Sequence, residues 1–289
     1  MKFKHLFIFL LINNLAAKSW KEIFSEHDFI FKDISLQIIK DQQIAFAQGN
    51  SPAISNSKIK QIPIVENNEQ LIDIREIENS RISMLPDSKP DKPFSSPDCN
   101  SGLPSASKIR KEVYWRLQEM LNYLDVYAEI FGYKKEKIII KVFEGLRDLK
   151  TQEKLFKNKF DEIKLKNPNL KDEEIEIETA KWVSPVKNNI PVHSTGAAID
   201  IRLWNNETND FVDLGKFGVI WGENKEAQTF SENISDAQKM NRLYLLIAAT
   251  KAGLVNYSYE YWHFSFGDRY FEFWTTNEQQ RCAKYSSIS

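Results

Sequence analysis

Two hydrophobic rhythms alternate along the chain from residue 105 onward. Val113, Leu117, Met120, Leu121, Leu124 and Ala128 recur on one face at helical spacing, and Gly132 stands where such a helix would stop, so a helix is predicted over about 108–131. Lys137 to Phe143 (KIIIKVF) is a β-branched run that reads as a buried strand, ending at Glu144-Gly145 and delivering Leu146-Arg147 into a loop. A charged helical stretch follows over about 149–164. In His193 to Trp204 (HSTGAAIDIRLW), Ala197, Ile199, Ile201 and Leu203 fall on one side and Ala198, Asp200 and Arg202 on the other, the signature of a strand with two chemically different faces. Ser235-Asp236-Ala237-Gln238 has capping-box form, and Met240, Leu243, Tyr244, Ile247 and Ala248 give the apolar stripe of a second core helix before Gly253. Leu254 to Tyr261 and the aromatic run Trp262 to Phe266 predict one or two closing strands. No internal repeat is present. Short helices and strands in alternation, without a glycine-rich phosphate loop, predict an α+β fold: a small, mostly antiparallel sheet flanked by helices rather than a doubly wound one.

The first hundred residues have a different texture. Met1 to Ser19 begins with Lys2 and Lys4, runs through seven consecutive apolar residues from Leu6 to Ile12, and ends in small residues around Ala16 and Ala17. That is the layout of a secretory signal, and it is too short to span a bilayer. Residues 20–60 are polar with scattered apolar clusters and read as a weakly structured leader. Five of the ten prolines lie between Pro86 and Pro104, which predicts an extended or turn-rich crossing. The expected division is a signal at 1–19, a polar leader at 20–60 and a globular domain at 61–289. No later stretch reaches the roughly 20 apolar residues of a membrane span, so the mature chain is expected outside the cytoplasm, without a membrane anchor.

Composition narrows the chemistry. At 289 residues and 42% hydrophobic, the chain can bury one good core, or a core with a smaller appendage. Thirty-nine basic against 40 acidic residues leave a net charge of −1, which offers no field for a nucleic-acid backbone. Two cysteines, Cys99 and Cys282, make neither a thiolate zinc cluster nor a disulfide framework, although an oxidising compartment would permit one bridge between them. Of the four histidines, His5 lies in the signal and His27 in the leader, which leaves His193 and His263.

Both remaining histidines have carboxylates near them. Asp200 follows His193 by seven residues, with Gly196 between them to turn the chain, and Glu260 precedes His263 by three. Two imidazoles and a carboxylate make a three-ligand catalytic zinc set with a fourth position for water, and one further carboxylate can take the proton such a water gives up. Each piece also has an ordinary reading. His193 beside Ser194 and Thr195 could be a hydrogen-bonded loop residue, and Glu-x-Trp-His an edge strand with a packed tryptophan. In a strict strand Glu260 and His263 point to opposite faces, so they can share a site only if a turn or bulge intervenes. Arg147, at a strand end, could stabilise an oxyanion or simply pair with Glu144 or Asp148.

Taken together these segments resemble one family. His193-Ser194-Thr195-Gly196-Ala197-Ala198-Ile199-Asp200 resembles the H-x-x-G-x-A-x-D signature of zinc D-alanyl-D-alanine dipeptidases and their D,D-carboxypeptidase relatives. Glu260-Tyr261-Trp262-His263 resembles the family's E-x-W-H signature, and Glu144-Gly145-Leu146-Arg147 its strand-end D-G-Y-R element, in the same order along the chain. The resemblance spans about Asp73 to Trp274. It implies the Hedgehog/D,D-peptidase-like zinc peptidase fold, with 61–289 as the catalytic domain. It also implies one zinc ion per chain on His193, Asp200 and His263, with Glu260 as general base and then acid, and Arg147 at the tetrahedral oxyanion. The implied reaction is hydrolysis of D-Ala-D-Ala in cell-wall peptide metabolism. D,D-carboxypeptidase or endopeptidase action on longer peptidoglycan peptides is one alternative, and a zinc-containing wall-binding module without turnover is another. Three positions depart from the family: Pro191 replaces a serine, Asp148 replaces a proline, and Gly218-Val219 stand where a dipeptidase has the aspartate that holds the substrate amine. Glu223 could substitute for that aspartate, although nothing in the sequence requires it.

Overall fold

The β-branched and alternating runs lie side by side in one mixed sheet. In the computed structural model, which describes residues 17–85, 105–180, 182–217 and 225–288, the strands are β1 (Leu71–Asp73), β2 (Ile82–Met84), β3 (Lys108–Arg110), β4 (Ile138–Glu144), β5 (Ala198–Asn205), β6 (Asp210–Phe211), β7 (Val255–Tyr257) and β8 (Glu260–Ser265). The helices are α1 (Trp20–Glu26), α2 (Gln37–Ala47), α3 (Ser57–Lys60), α4 (Lys111–Tyr127), α5 (Leu149–Lys166), α6 (Asp172–Thr179), α7 (Asp236–Lys251) and α8 (Arg269–Thr275). The main sheet has the order β2-β4-β5-β8-β7, with β6 pairing β5. Among the described strands of this sheet, β2 and β4 pair in parallel and the other pairs are antiparallel. A separate antiparallel pair, β1–β3, completes an α+β fold.

The two faces of β5 divide as its alternation predicts. Ile199, Ile201 and Leu203 join Ile138, Ile140 and Val142 of β4 in the main core, under the apolar stripes of α4 and α7. Such a face drives folding because each large aliphatic side chain withdrawn from water contributes about 1.5–3 kcal/mol. The α7 helix begins at the predicted capping box, with the Ser235 hydroxyl accepting from the Gln238 amide and the Gln238 side chain returning to the Ser235 amide.

Three expectations are corrected. Residues 20–60 are not a weakly structured leader: they fold into α1, α2 and α3, and Trp20, Ile23, Phe24, Leu36 and Ile39 are buried in the main core. Trp20, Ile23 and Phe24 fall at helical spacing on one face of α1, so an amphipathic helix lies behind the polar average. The end of the predicted signal also belongs to the fold. Ser19 caps α1 in a capping box with Glu22, and the buried Lys239 ammonium donates to the Lys18 carbonyl. Residues 108–110, read as the start of a helix, are extended instead. Their backbone is engaged by Leu146, whose N–H donates to Lys108, and by Gly196, which accepts from the Arg110 N–H. The acidic helix α6 was not foreseen; Asp172, Glu173 and Glu174 in its first turn suit the positive end of its dipole. The signal's apolar run, the proline crossing, Cys99, Gly218, Val219 and Glu223 lie outside the described residues. No helix among the described residues is long and apolar enough to cross a membrane.

Candidate metal centre

On the sheet face turned away from α4 and α7, register places three residues in one row. Glu144 of β4 pairs with Asp200 of β5, and Asp200 pairs with His263 of β8. Paired residues share a face, so the row follows from strand pairing alone. A bulge between Val142 and Glu144 makes it possible, because regular alternation would set Phe143 opposite Asp200.

His193 reaches the row from a 3-10 turn, Val192–Thr195. The Ser194 hydroxyl donates to the Pro191 carbonyl and the Thr195 hydroxyl to the Val192 carbonyl, while Gly196 ends the turn at φ 69°, in the left-handed region. Gly145 serves the same residue from the other side: its carbonyl lies 2.9 Å from His193 Nδ1. A Cβ at Gly145 would fall 2.5 Å from Ile109 Cγ2 and 2.6 Å from the Lys108 carbonyl, so only glycine fits this crossing. With Nδ1–H given to a carbonyl, Nε2 carries the free lone pair and faces the row, the arrangement that orients a metal-binding imidazole.

The three ligand atoms converge. His263 Nδ1 lies 3.0 Å from Asp200 Oδ1 and 3.1 Å from His193 Nε2, and His193 Nε2 lies 3.5 Å from Asp200 Oδ1. All three side chains are buried. A tetrahedral ion with bonds of about 2.0–2.2 Å would hold its ligand atoms about 3.3–3.6 Å apart, so the set fits a zinc-sized divalent cation after shifts of a few tenths of an ångström. Burial opposes ionisation of Asp200, but His193 and His263 beside it hold its carboxyl well below the usual range. Burial likewise disfavours charge on His193, yet Asp200 outweighs it and the imidazole lies above its ordinary value.

Glu260 stands at the edge of this cluster, its Oε2 3.9 Å from His263 Nδ1. The odd offset between the two residues is absorbed by the predicted irregularity: β7 pairs Asn256 with Phe264 but Tyr257 with Glu260. Desolvation, and then the charge of Asp200, push the Glu260 carboxyl up from its usual range.

Arg147 is held by a fork. Its Nε and Nη2 donate to the two Glu144 carboxylate oxygens at 2.8 and 2.5 Å, and its Nη1 donates to Gln152 Oε1 at 3.0 Å. The ordinary pairing with Glu144 therefore exists, and it aims the guanidinium rather than consuming it. Three of five N–H donors are engaged by described residues, which leaves two for an anion. Burial opposes its charge, but Glu144 overrides that and keeps it protonated. Gln152 was missed in the sequence; it lies in the first turn of α5 and also donates to the Ser184 carbonyl at 2.6 Å.

The family whose description is D-ala-D-ala dipeptidase matches residues 138–283, just over half of the chain and all of this site. The chain belongs to the D-Ala-D-Ala dipeptidase family. Two solved D,D-peptidase structures resemble it weakly. One is VanYB in complex with D-alanine-D-alanine, with 15% identity and a TM-score of 0.33 over 55% of this chain and 71% of that one. The other is a mutant of the vancomycin-resistance D,D-pentapeptidase VanY in complex with Zn(II), with 16% identity and a TM-score of 0.29 over 55% and 72%. Membership in the D-Ala-D-Ala dipeptidase family follows from the match over 138–283 alone. No curated protein sequence matches the chain.

Proposed function

We propose that the chain is a zinc-dependent D,D-peptidase that hydrolyses D-alanyl-D-alanine to free D-alanine in cell-wall peptide metabolism. In this reading His193, Asp200 and His263 hold one zinc ion, Glu260 moves the proton and Arg147 meets the developing oxyanion. The observation that carries it is the convergence of three buried ligand atoms beside a fourth, unligated carboxylate 3.9 Å away.

Bound zinc polarises the scissile carbonyl and acidifies water. Glu260 accepts a proton from the attacking water and returns it to the departing amine nitrogen. Its raised affinity for a proton lets Glu260 hold the proton taken from water until the amine departs. As the carbonyl becomes tetrahedral, its oxygen gains charge that the two remaining Arg147 N–H groups can accept, with Glu144 and Gln152 already holding the guanidinium in place. The burial of Glu144, and of most of the Arg147 side chain, strengthens that interaction.

Substrate length belongs to the same proposal. With Gly218-Val219 in place of the amine-holding aspartate, longer peptidoglycan peptides are the competing substrates. The basic-then-apolar start of the chain further motivates export, with the substrate met outside the membrane.

The test measures D-alanine release from D-Ala-D-Ala and from a wall pentapeptide, with zinc content determined in parallel. Glu260→Gln should retain zinc and lose about 10²- to 10⁴-fold in turnover. Wild-type turnover by that variant would remove Glu260 from the mechanism. A zinc-loaded wild-type chain inert toward both peptides would overturn the hydrolase reading in favour of wall binding.

A further inference from the structure

We infer that Asn256, locked by Thr229, is a positioning residue for Glu260 and His263, an inference that rests on the reading of these two residues as proton carrier and metal ligand. Asn256 is buried on β7, facing the irregular stretch of β8. Its Nδ2 lies 3.3, 3.2 and 3.0 Å from the carbonyl oxygens of Glu260, Tyr261 and His263. One amide group thus gathers the backbone on both sides of Trp262. Strand alternation alone would turn Glu260 and His263 to opposite faces, so the chain between them must depart from regular pairing. A buried carbonyl is costly to leave without a donor, and the three carbonyls of this stretch converge on the two N–H groups of the Asn256 amide. Asn256 meets them, and so stabilises the distortion that brings both side chains to one site.

The amide can point only one way. Three carbonyl oxygens surround Nδ2, and a carbonyl accepts but never donates, so the NH₂ must face them. On the other side, Asn256 Oδ1 lies 2.6 Å from the buried Thr229 hydroxyl, the nearer of that donor's two acceptors, the other being the Tyr257 carbonyl at 3.1 Å. Thr229 is itself tied across the strand end, its N–H donating to the Ser258 carbonyl at 3.0 Å. The Asn256 backbone carbonyl accepts from Gln42 Nε2 of α2 at 2.8 Å. Asn256 reaches Glu260 and His263 through their backbone carbonyls, and Thr229 and Gln42 reach them only through Asn256.

Partners of this kind, one shell away from a metal, typically contribute about 10- to 100-fold in metal affinity or activity. Thr229→Val keeps shape and volume but removes the donor that locks the amide. It should weaken zinc binding, measured by competition with a chromophoric chelator, and lower kcat by about tenfold or more with KM changed less. Thr229→Ser retains the hydroxyl and should restore both. Asn256→Asp, which sets a charged acceptor against three carbonyls, should show a larger loss of both. A Thr229→Val protein that matches wild type in zinc affinity and kcat, with only its melting temperature lowered, would overturn the inference. So would a Thr229→Ser variant as impaired as Thr229→Val. Zinc affinity decides the matter even if the wild type hydrolyses neither peptide, which would overturn the hydrolase reading alone. Should Asn256→Asp fail to fold, the two Thr229 variants carry the comparison.

Discussion

At the scale of single residues, Arg147 separates charge from geometry. A lysine would keep the positive charge but could not span both Glu144 oxygens and Gln152, because an ammonium lacks the planar fork. Arg147→Ala and Arg147→Lys should therefore fall together in kcat, by about 10²- to 10³-fold, with zinc content unchanged. A lysine variant near wild type would show that bulk positive potential is enough. His193, Asp200, His263, Glu260 and Arg147 stand out in the sequence as candidates because each sits in a short motif whose spacing suits its chemistry, and the structure brings the first four side chains together. Gln152 and Asn256 do not stand out. Gln152 reads as one more polar residue in a charged helix, and Asn256 as a polar interruption of a strand. What they do depends on where α5 and β8 come to lie, and no local pattern encodes that.

At the scale of elements, the strands and the two core helices were legible because β-branched runs, alternation and capping boxes are local causes. The extended start at 108–110 was not, since the groups that compete for its backbone come from residues 146 and 196. The neighbouring turn after β1 offers a pH test of such non-local ties. Arg75, aided by the Ser107 side chain and the Arg75 N–H, lowers the Asp73 carboxyl to about 2 against the opposing cost of burial. A depressed folded-state value means the contribution is complete above the ordinary carboxylate value near 3.8 and is lost as pH falls toward about 2. Urea midpoints of wild type and Asp73→Asn should therefore differ at pH 6 and converge only as the pH falls to about 2. A gap that persists unchanged at low pH would mean that the Asp73 charge contributes nothing.

At the scale of the whole molecule, the segment read as a leader is part of the core. Trp20 is fully buried and its indole N–H donates to the Ser231 carbonyl, while α2 reaches through Gln42 to the strand beside the site. Trp20→Ala should cost about 3–5 kcal/mol in chemical denaturation. A loss below about 1 kcal/mol would mean that α1 is dispensable. The polar average over 20–60 hid this, because three helices with one apolar face each average to a hydrophilic stretch. The family match covers residues 138–283, so these helices lie outside the matched region. The two strand irregularities give the candidate metal centre an unusual kind of fragility. A strand works as a reading frame of period two; the β4 irregularity inserts one letter and the β8 irregularity three, and either odd number brings the next word into phase. Exchanging one side chain there alters a letter. Removing a residue near Phe143 or Tyr261 shifts the frame, so in a deletion scan these two points should be far less forgiving than in a substitution scan.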